Sequence, residues 1–407
     1  MVTREQPIVG IDVGSSKTCA LIGYASEAGN LEIAGFGVGE SKGWRKGIIV
    51  NLDAAVLAIK KAVEVAEGAA GVAVDSAYIG VGGPHIRGVN AQGATLVANR
   101  ARGVTQEDIR QAVRAAQGVA LPPDRELLHV LPQEFSLDSQ DGIRDPLGMV
   151  GTRLEANVHL ITASTSAWQN VVNAVNKAGI EIPEGGTVFE ALASAEASLS
   201  TDERELGVAM VDLGAGSTDL IVYSHRTVRY TASIPIGGDH FTNDIAVGLC
   251  TPIPEAEKMK RAWGQRDPSQ SEPGALEVQS VGERPARVVS YAKLNEIIEP
   301  RALELLELIG AELRRSGYLD QLGAGMVLTG GGARLGGFAR LAELTLCLPV
   351  RVARPLGLEK TRVDLADPAY CTLVGLVAYG KRMRLLRDSR NKGLVGKLWG
   401  ALRGPMA

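Results

Sequence analysis

The first strand predicted along the chain, with the turn after it, reads Ile8-Val9-Gly10-Ile11-Asp12-Val13-Gly14-Ser15-Ser16-Lys17-Thr18. Residues 208–219 repeat this pattern as VAMVDLGAGSTD, again an apolar run followed by Asp-x-Gly and small hydroxyl residues. In both copies the glycines allow a tight hairpin turn whose backbone N–H groups point at an anion. The aspartates near the ends of the two strands, Asp12 and Asp212, can hold Mg²⁺ through water. Two such turns, each opening one half of the chain, indicate duplicated domains that close on one nucleotide.

A third glycine-rich stretch completes the set. Residues 326–335 read MVLTGGGARL, which predicts a buried strand that breaks into three glycines and is followed by a helix. Consecutive glycines leave bare backbone against which a flat ligand can lie. The order of two phosphate loops and one glycine-rich adenosine loop resembles the superfamily of actin, sugar kinases and DnaK-type chaperones. This resemblance implies an α/β chain with an actin-like, two-lobed ATPase fold built from duplicated ribonuclease-H-like domains.

The composition favours a protein of a reducing compartment. The chain has 407 residues and four scattered cysteines without CxxC spacing, so neither a disulfide framework nor a structural zinc site is expected. The start has no signal-peptide core, and no stretch reaches the ~20 apolar residues of a membrane-spanning helix. We therefore expect a cytoplasmic protein. The net charge of −3 divides into −10 for residues 1–380 and +7 for the remainder, which argues against general nucleic-acid binding.

The segment 84–163 differs in sequence pattern from the two halves around it. Alternating strand-like runs flank a helix that begins at Thr105 with a capping-box pattern, which predicts an inserted small α/β subdomain. Helical spacing predicts a helix over 51–68, and the alanine-rich stretch 187–199 is expected to be helical throughout. The predicted domains are a first lobe (1–83 and 164–200, with 364–385 returning to it), the inserted subdomain (84–163), a second-lobe core (201–238 and 302–363), a second-lobe small subdomain (239–301), a linker (386–391) and an amphipathic C-terminal helix (392–404).

Several further motifs are more specific. The stretches PPDRE (122–126), HVLPQEF (129–135) and GIRDPLGM (142–149) resemble the inserted subdomain of the FtsA family of bacterial division proteins. IIEPR (297–301) and LTGGGARL (328–335) are similar to later motifs of that family, and so is the C-terminal tail. The resemblance covers essentially the whole chain in the right order. It implies an actin-like, ATP-binding protein of bacterial cell division.

The resemblance also implies which residues hold ATP and Mg²⁺. Asp12 and Asp212 match the superfamily aspartates near the metal and the phosphates, and they are candidates for catalysis as well. Glu257, Lys260 and Arg261 match the spacing that chaperones use around ribose and adenine, and would share one helical face; a solvated charged helix is the alternative. The three loops supply the remaining predicted cofactor-binding residues: Gly14, Ser15, Ser16, Lys17, Gly214, Ala215, Gly216, Ser217, Thr218, Gly330, Gly331, Gly332 and Arg334.

Glu190 lies where chaperone relatives carry a Glu-Pro pair near the attacking water. Here Ala191 follows, so the pair is missing. A lone carboxylate can position water for phosphoryl transfer, or it can serve as the acidic residue at a helix N-terminus. With Glu190 as the third candidate catalytic residue, we expect ATP hydrolysis to be slow or absent. Two alternative functions share the nucleotide cleft: a small-metabolite kinase and a pilus-assembly actin homologue.

The C-terminal tail predicts a membrane contact. On a helix, its apolar side chains fall within an arc of about 140° with basic residues beside it. Three glycines lower its helix propensity by roughly 0.8–1 kcal/mol each, so the tail is expected to fold only on a surface. An anionic lipid membrane suits this pattern. Several tails on a polymer would bind such a membrane far better than one tail. A helix docked on its own domain is the alternative. The predicted membrane-contacting residues are Leu394, Val395, Lys397, Leu398, Trp399, Leu402 and Arg403.

The FtsA resemblance implies the remaining partners. Proteins of this family tether the tubulin-like division GTPase FtsZ, held by its C-terminal peptide, to the inner membrane. The matching surface spans 284–301, where Arg287, Lys293 and Arg301 are expected to pair with an acidic peptide; ordinary solvated charges are the alternative. Self-assembly into filaments is expected, and the inserted subdomain is expected to contact neighbouring protomers and later division proteins. The implied location is the cytoplasmic face of the bacterial inner membrane at the division site.

Overall fold

The computed structural model describes residues 6–26, 29–45, 47–264, 275–281, 285–359 and 364–391. The strands in this part of the chain are β1 Ile8–Val13, β2 Lys17–Ala25, β3 Leu31–Glu40, β4 Trp44–Arg45, β5 Ile48–Ile49, β6 Tyr78–Val81, β7 Arg87–Leu96, β8 Arg125–Leu137, β9 Gln140–Ile143, β10 Arg153–Ser164, β11 Thr187–Phe189, β12 Val208–Leu213, β13 Thr218–Ser224, β14 Thr227–Ile234, β15 Ala275–Val278, β16 Arg287–Ser290, β17 Met326–Thr329 and β18 Val350–Val352. The α-helices are α1 Leu52–Ala70, α2 Gln106–Gln117, α3 Thr165–Lys177, α4 Glu190–Ser198, α5 Thr201–Leu206, α6 Gly238–Gly248, α7 Ile253–Gly264, α8 Tyr291–Ser316, α9 Phe338–Leu346 and α10 Cys371–Asn391.

The first lobe is built around a mixed sheet with the strand order β11-β6-β1-β2-β3. β1 pairs antiparallel with β2 and parallel with β6, so the end of β1 that carries Asp12 lies in the middle of the sheet. The helix α1 packs very closely on β3, because a Cβ atom at Gly35, Gly37 or Gly39 would lie only 2.0–2.3 Å from a carbonyl oxygen of the helix. These glycines alternate along the strand and therefore face the same side. They allow the helix backbone to rest directly on the sheet.

The second lobe repeats this arrangement strand for strand. Its sheet has the order β14-β13-β12-β17-β18, in which β12 pairs antiparallel with β13 and parallel with β17. Asp212 therefore occupies on β12 the place that Asp12 occupies on β1. The residues across from them differ, because Asp212 is paired with Asp219 on β13 and Asp12 with Cys19 on β2. Strand order and pairing agree with a duplicated architecture, as the two Asp-x-Gly stretches predict.

The outer part of the second lobe consists of α6, α7, the β15–β16 pair and the first half of α8. The long helix α8 begins after Ser290, whose side chain accepts a hydrogen bond from the Lys293 N–H, and ends at Gly317 in the left-handed conformation. Pro300 lies inside this helix. Leu305, Ile309 and other apolar residues of α8 are fully buried in the core of the lobe, so packing rather than local propensity stabilises the helix.

The inserted subdomain is an antiparallel sheet with the order β7-β10-β8-β9, on which α2 packs. The helix begins with the predicted capping box: the Thr105 N–H donates to Asp108 Oδ2 (2.8 Å), and the Asp108 N–H donates to Thr105 Oγ1 (3.3 Å). Phe135 and Leu154 are among the fully buried residues of its own small core. The subdomain is thus a compact α/β unit between β6 and α3.

The inserted subdomain contacts both lobes through polar side chains. On the first lobe, His129 Nε2 accepts a hydrogen bond from the Phe189 N–H (2.9 Å), directly before Glu190. On the second lobe, Glu134 Oε2 accepts a hydrogen bond from Arg229 Nη2 of β14 (3.3 Å), and three further side chains of the subdomain form hydrogen bonds with this strand. The pairs are Gln133 Nε2 with Val228 O (2.8 Å), Asn90 Nδ2 with Arg229 O (3.2 Å) and His159 Nε2 with Thr231 Oγ1 (2.9 Å).

Two predicted segments have a different structure. Thr187–Phe189, predicted as the start of a helix, forms the short strand β11 beside β6, since Val188 and Phe189 are buried in the sheet; α4 begins only at Glu190. The segment 386–391, predicted as a linker, forms the last turns of α10, because no glycine or proline interrupts residues 381–391. The predicted membrane segment 392–404 lies outside the described residues. Within the described part, no helix is long and apolar enough to cross a bilayer.

Candidate nucleotide site

A cavity of about 750 Å³ lies between the two lobes. It is lined by the turn after β1 (residues 14–17, the first turn), the turn after β12 (residues 214–217, the second turn) and the glycine run 330–332 after β17. The fold brings together residues that are more than 300 positions apart in the sequence. The predicted site residues that line the cavity are Asp12, Gly14, Ser15, Ser16, Lys17, Glu190, Asp212, Gly214, Ala215, Gly216, Ser217, Glu257, Lys260, Arg261, Gly330, Gly331, Gly332 and Arg334.

The first and second turns share one local geometry. A Cβ atom at Gly14 would lie 3.0 Å from the carbonyl oxygen of Lys17, and one at Gly214 would lie 3.0 Å from that of Ser217. In the second turn, the Gly214 N–H donates to this Ser217 oxygen (3.0 Å). Among the predicted cofactor-binding residues, Thr218 does not line the cavity. It is fully buried, and its hydroxyl donates to Ile236 O (2.7 Å). Its hydroxyl fixes the strand behind the turn.

Lys17 places a positive charge at the first turn. Its Nζ atom lies 3.8 Å from the centre of the Tyr370 ring, within the range of a cation–π contact. Burial raises the pKa of Asp12 to about 7, although the nearby charge of Lys17 acts in the opposite direction. The turn therefore combines backbone donors, an ammonium group and a carboxyl group that titrates near neutral pH.

Four carboxyl groups lie together at this end of the cavity. Asp212 and Asp219 are buried, and Asp12 and Glu190 are partly buried; all but Asp219 line the cavity itself. Burial raises the pKa of Glu190 well above its usual range, and the charges of the three aspartates raise it further. The protonated form of Glu190 is therefore favoured in the free protein. A protonated carboxyl group cannot accept a proton from water, so it is a poor general base.

Asp219 is a member of this cluster that the sequence analysis missed. Its Oδ1 atom accepts a hydrogen bond from the Gly83 N–H (3.4 Å). A Cβ atom at Gly82 would lie 2.2 Å from Glu190 Oε2 and 2.8 Å from Asp219 Oδ2, so the two carboxyl groups flank this glycine. Burial raises the pKa of Asp219 to about 7, with the charge of Asp212 adding to the effect. Its position across the hairpin from Asp212 is the signal that could have revealed it.

The carboxyl cluster has the donor chemistry of a magnesium site. Asp212 Oδ2 accepts hydrogen bonds from Ser194 Oγ (2.7 Å) and Thr372 Oγ1 (3.0 Å), which orient the carboxylate. Among the described residues, no group of three or more His, Cys, Asp and Glu side chains is placed to hold a metal ion. An ion near Asp12 and Asp212 would therefore need water and phosphate oxygens as its other ligands, which is the usual coordination of Mg²⁺ at nucleotide sites.

The charged face of α7 forms another part of the cavity wall. Glu257 Oε2 accepts hydrogen bonds from Thr242 Oγ1 (2.6 Å) and Lys260 Nζ (2.7 Å), and Glu257 Oε1 accepts one from Arg261 Nε (2.8 Å). The Arg261 side chain is 68% exposed, but the Lys260 side chain is only 13% exposed. Lys260 Nζ also donates to Gly238 O (3.0 Å). The three residues thus form one network. The alternative of a solvated charged helix does not explain why the Lys260 side chain is nearly buried.

The glycine run 330–332 forms a further part of the cavity wall. Gly330 has a φ of +81°, and a Cβ atom there would lie 2.4 Å from Asp212 Oδ1. At Gly331, by contrast, a Cβ atom would meet nothing within 4 Å, so the space above this backbone is open to a ligand. Arg334 is held beside the run because its Nε atom donates to Asp367 Oδ1 (2.8 Å).

Comparison with known families and proteins identifies the chain. The family described as "Cell division protein FtsA" matches residues 209–375, and the domain described as "SHS2 domain inserted in FTSA" matches residues 83–162. Cell division protein FtsA of Pseudomonas aeruginosa is 43% identical over 374 residues, which cover 92% of this chain and 89% of that protein. The chain belongs to the FtsA family. FtsA of Escherichia coli K12 is 37% identical over 391 residues, covering 94% and 92% of the two chains. The predicted resemblance is confirmed, and a role in cell division with it.

Solved structures confirm the fold class. The type IV pilus biogenesis complex PilM-PilN contains a chain that is similar with a TM-score of 0.64 and 18% identity, covering 92% of this chain and 98% of that one. MreB5 of Spiroplasma citri bound to ADP is similar with a TM-score of 0.55 and 14% identity, covering 97% and 99%. At such identities these likenesses show the fold alone. They agree with the predicted actin-like architecture of two lobes.

The cations predicted to bind a partner peptide already have partners within the chain. Arg301 makes a bidentate contact with Asp244, in which Nε lies 2.6 Å from Oδ2 and Nη2 lies 3.1 Å from Oδ1. Its Nη1 atom contacts Glu304. The other two are paired as follows: Lys293 Nζ donates to Glu296 Oε2 (2.8 Å), and Arg287 Nη2 donates to Leu249 O. An acidic peptide would have to compete with these groups.

Proposed function

We propose that this member of the FtsA family binds ATP with Mg²⁺ between its lobes and assembles on the cytoplasmic face of the inner membrane, where it tethers FtsZ. One observation carries the nucleotide proposal: two turns from opposite lobes, with Asp12 and Asp212 at their bases, face a single cavity. Backbone N–H groups of both turns, together with Lys17, would bind the phosphates. Mg²⁺ held near the aspartates would neutralise the charge that the phosphates bring to the carboxyl cluster.

Calorimetric titration of the full-length chain with Mg·ATP tests this proposal. Asp212→Asn removes one carboxylate oxygen at the metal position, and we expect the affinity for Mg·ATP to fall roughly tenfold or more. The matched control is Asp320→Asn, the same change at an exposed site outside the cavity. Wild-type protein that binds no ATP would refute the proposal, and so would an Asp212→Asn variant that folds and binds as tightly as the control.

We further infer that ATP turnover is slow. A general base at Glu190 would have to be ionised, but burial among three aspartates favours its protonated form. We expect phosphate release far below the roughly 1–100 s⁻¹ that is typical of kinases. Glu190→Gln should leave ATP affinity within about threefold of wild type while removing any residual hydrolysis. Steady turnover at kinase-like rates would contradict this inference.

The membrane part of the proposal concerns the C-terminal tail. Because α10 continues to Asn391, removal of residues 392–407 leaves the last described helix intact. We expect this truncated protein to lose flotation with liposomes that contain anionic lipid. A full-length Trp399→Glu variant provides a second test, since it changes one predicted apolar contact and keeps every basic residue. Undiminished flotation of the truncated protein would refute the membrane role of the tail.

The peptide part of the proposal concerns Arg301. Its bidentate contact with Asp244 leads to opposite expectations for two variants. Arg301→Glu should weaken binding of a labelled C-terminal peptide of FtsZ, because it replaces an attractive charge with a repulsive one. Asp244→Asn should strengthen binding, because it frees the guanidinium group for the peptide. Fluorescence anisotropy measures both, and unchanged affinity in both variants would remove Arg301 from the binding surface.

Assembly on lipid and recruitment of later division proteins complete the proposal. Electron microscopy with ATP on an anionic lipid monolayer tests the first, because filaments on the lipid support an assembling adaptor and bare lipid favours a soluble enzyme. The small-metabolite kinase and the pilus-assembly homologue gain no support beyond the shared fold, since the likeness to the PilM-PilN chain is only 18% identical. Phosphate transfer to a small acceptor would restore the kinase alternative.

A further inference from the structure

Two buried hydroxyl groups converge on Asp212 from distant parts of the chain. Ser194 lies on α4 and Thr372 in the first turn of α10, and both residues are buried. Ser194 Oγ lies 2.7 Å and Thr372 Oγ1 lies 3.0 Å from Asp212 Oδ2, and the two hydroxyl oxygens lie 2.8 Å from each other. The three side chains thus form a closed triangle beside the nucleotide cavity, which Asp212 and Thr372 line.

Both hydrogen bonds go to one oxygen of the Asp212 carboxylate. Each hydroxyl group has one proton to donate, and a carboxylate oxygen has two lone pairs, so Ser194 and Thr372 together saturate Oδ2. In the described part of the chain, the other oxygen, Oδ1, has no hydrogen-bond partner. It lies against the glycine run, since a Cβ atom at Gly330 would be 2.4 Å away from it. Oδ1 is therefore the oxygen that remains for a ligand of the cavity.

The two hydroxyl groups belong to the two connections between the lobes. The helix α4 follows β11 of the first-lobe sheet, and the chain passes from it through α5 to β12 in the second lobe. The chain returns from β18 of the second lobe to α10. A Cβ atom at Gly10 of β1 would lie only 3.2 Å from Leu373 O of α10, so this helix packs directly on the first-lobe sheet. Asp212 of the second lobe is therefore hydrogen-bonded to both connections.

Close packing of α4 on α10 keeps the two hydroxyl groups together. A Cβ atom at Gly375, one turn after Thr372, would lie 1.8 Å from the carbonyl oxygen of Ala193, the residue before Ser194. The backbones of the two helices touch at this point, so the hydroxyl groups cannot separate unless α4 and α10 separate. Donors on rigid elements hold their acceptor in one orientation before a ligand arrives.

We propose that Ser194 and Thr372 are positioning residues for Mg²⁺. They saturate Oδ2 of Asp212 and thereby present Oδ1 to the metal ion or to a water molecule bound to it. The inference rests on Mg·ATP binding as proposed above, and it adds two residues that act on the metal through Asp212. Outer partners of this kind are as much a part of a metal site as the groups that they orient.

Calorimetric titrations of the full-length chain with ATP, once with MgCl2 and once with EDTA, test the proposal. Ser194→Ala and Thr372→Val each remove one hydroxyl group. Each should reduce the affinity that ATP gains from Mg²⁺ about tenfold or more, and should change the affinity in EDTA less than about twofold. Thr372→Ser keeps the hydroxyl group and should stay within about threefold of wild type. Ser198→Ala is the matched control with an unchanged gain from Mg²⁺, because this serine is equally buried on α4 but donates to Ser194 O (2.6 Å).

A double-mutant cycle separates positioning from packing. If Ser194 acts through the Asp212 carboxylate, Ser194→Ala should weaken Mg·ATP binding less than about twofold when it is added to Asp212→Asn. A loss as large as in the wild-type background would overturn the proposal, because the hydroxyl group would then act without the carboxylate.

The remaining outcomes separate this inference from the proposed function. Wild-type protein that binds no ATP overturns nucleotide binding itself. Wild-type protein that binds ATP equally well in MgCl2 and in EDTA overturns the role of the metal, and that of the two hydroxyl groups with it, but leaves nucleotide binding intact. An unchanged gain from Mg²⁺ in both Ser194→Ala and Thr372→Val overturns the positioning role alone, and so does an equal loss of affinity in MgCl2 and in EDTA.

Discussion

Replacement of Asp219 by asparagine isolates the energetic effect of the buried carboxyl cluster. Asp219 is 3% exposed, and its Oδ1 atom lies 3.4 Å from the Gly83 nitrogen. Asparagine has nearly the same shape and keeps an oxygen that can accept this hydrogen bond, but it cannot ionise. The titration of this carboxyl group is therefore the main pH-dependent contribution to the difference in unfolding free energy between Asp219→Asn and wild type, and the loss of its charge beside Glu190 adds a second one.

The sign and size of that contribution follow from the raised pKa. Burial moves the pKa of Asp219 from 3.8 to about 7 in the folded protein. The stabilisation from the bound proton is complete below the pKa of the unfolded chain and is lost as the pH rises through the folded value. The full shift corresponds to roughly 4 kcal/mol. Relative to wild type, the variant should gain roughly 2 kcal/mol between pH 5 and pH 7, and less than about 0.5 kcal/mol from pH 7 to pH 8.

Urea unfolding of the nucleotide-free protein at pH 5, 6, 7 and 8 measures this difference. Asp320→Asn is the matched control, because the same chemical change is made at an exposed position. We expect the control to differ from wild type by an amount that hardly changes with pH. A constant difference for Asp219→Asn across the four pH values would refute the reasoning, since the carboxyl group would then titrate alike in the folded and unfolded chains.

Three further predictions address packing, proton release and the contact with β14. Gly375→Val should lower the melting temperature strongly, because even a Cβ atom there would lie 1.8 Å from Ala193 O. In contrast, Gly68→Ala should raise the free energy of unfolding by about 0.5–1 kcal/mol, because no atom lies near its Cβ position. Binding of Mg·ATP at pH 7 should release about one proton, because Asp12 and Asp219, each with a pKa of about 7, are each half protonated there. Calorimetry in buffers of different ionisation enthalpy measures the number of protons released. The absence of proton release would contradict the raised pKa values. Gln133→Leu should lower the unfolding free energy by about 1–3 kcal/mol, because it leaves Val228 O without its donor; unchanged urea unfolding would show that this bond contributes nothing.

The sequence predicts those parts of the site that depend on short-range pattern. A strand and an Asp-x-Gly sequence determine each turn locally, so Asp12 and Asp212 could be found without knowledge of the fold. The hairpin places Asp219 across from Asp212, but its place beside Glu190 depends on Gly82, more than a hundred residues earlier in the chain, and has no signal in the sequence.

The wrong predictions have similar causes. The alanine-rich sequence of α4 extends the helical pattern backwards over Thr187–Phe189, but pairing with β6 decides the structure of these three residues. The linker predicted over 386–391 depends on the charge of this stretch alone, although no residue in it ends a helix. The role of Arg301 at a partner surface stays a prediction; its contact with Asp244, 57 positions away, could not be foreseen, because such a pair has no signature in a single sequence.

Three hydrogen bonds of uncharged side chains and the ion pair between Arg229 and Glu134 (3.3 Å) join the inserted subdomain to β14, and the three hydrogen bonds give a lower bound for the energy of this attachment. Each net contribution is about 0.5–1.5 kcal/mol, so together they amount to on the order of 3 kcal/mol. This is the size of a typical coupling free energy between two sites. A protein that docks on the inserted subdomain could therefore offset these hydrogen bonds with part of its own binding energy, which is about 8 kcal/mol even at micromolar affinity. Docking partners of nanomolar and of micromolar affinity would both suffice, which makes the attachment of this subdomain to β14 adjustable by weak and transient contacts.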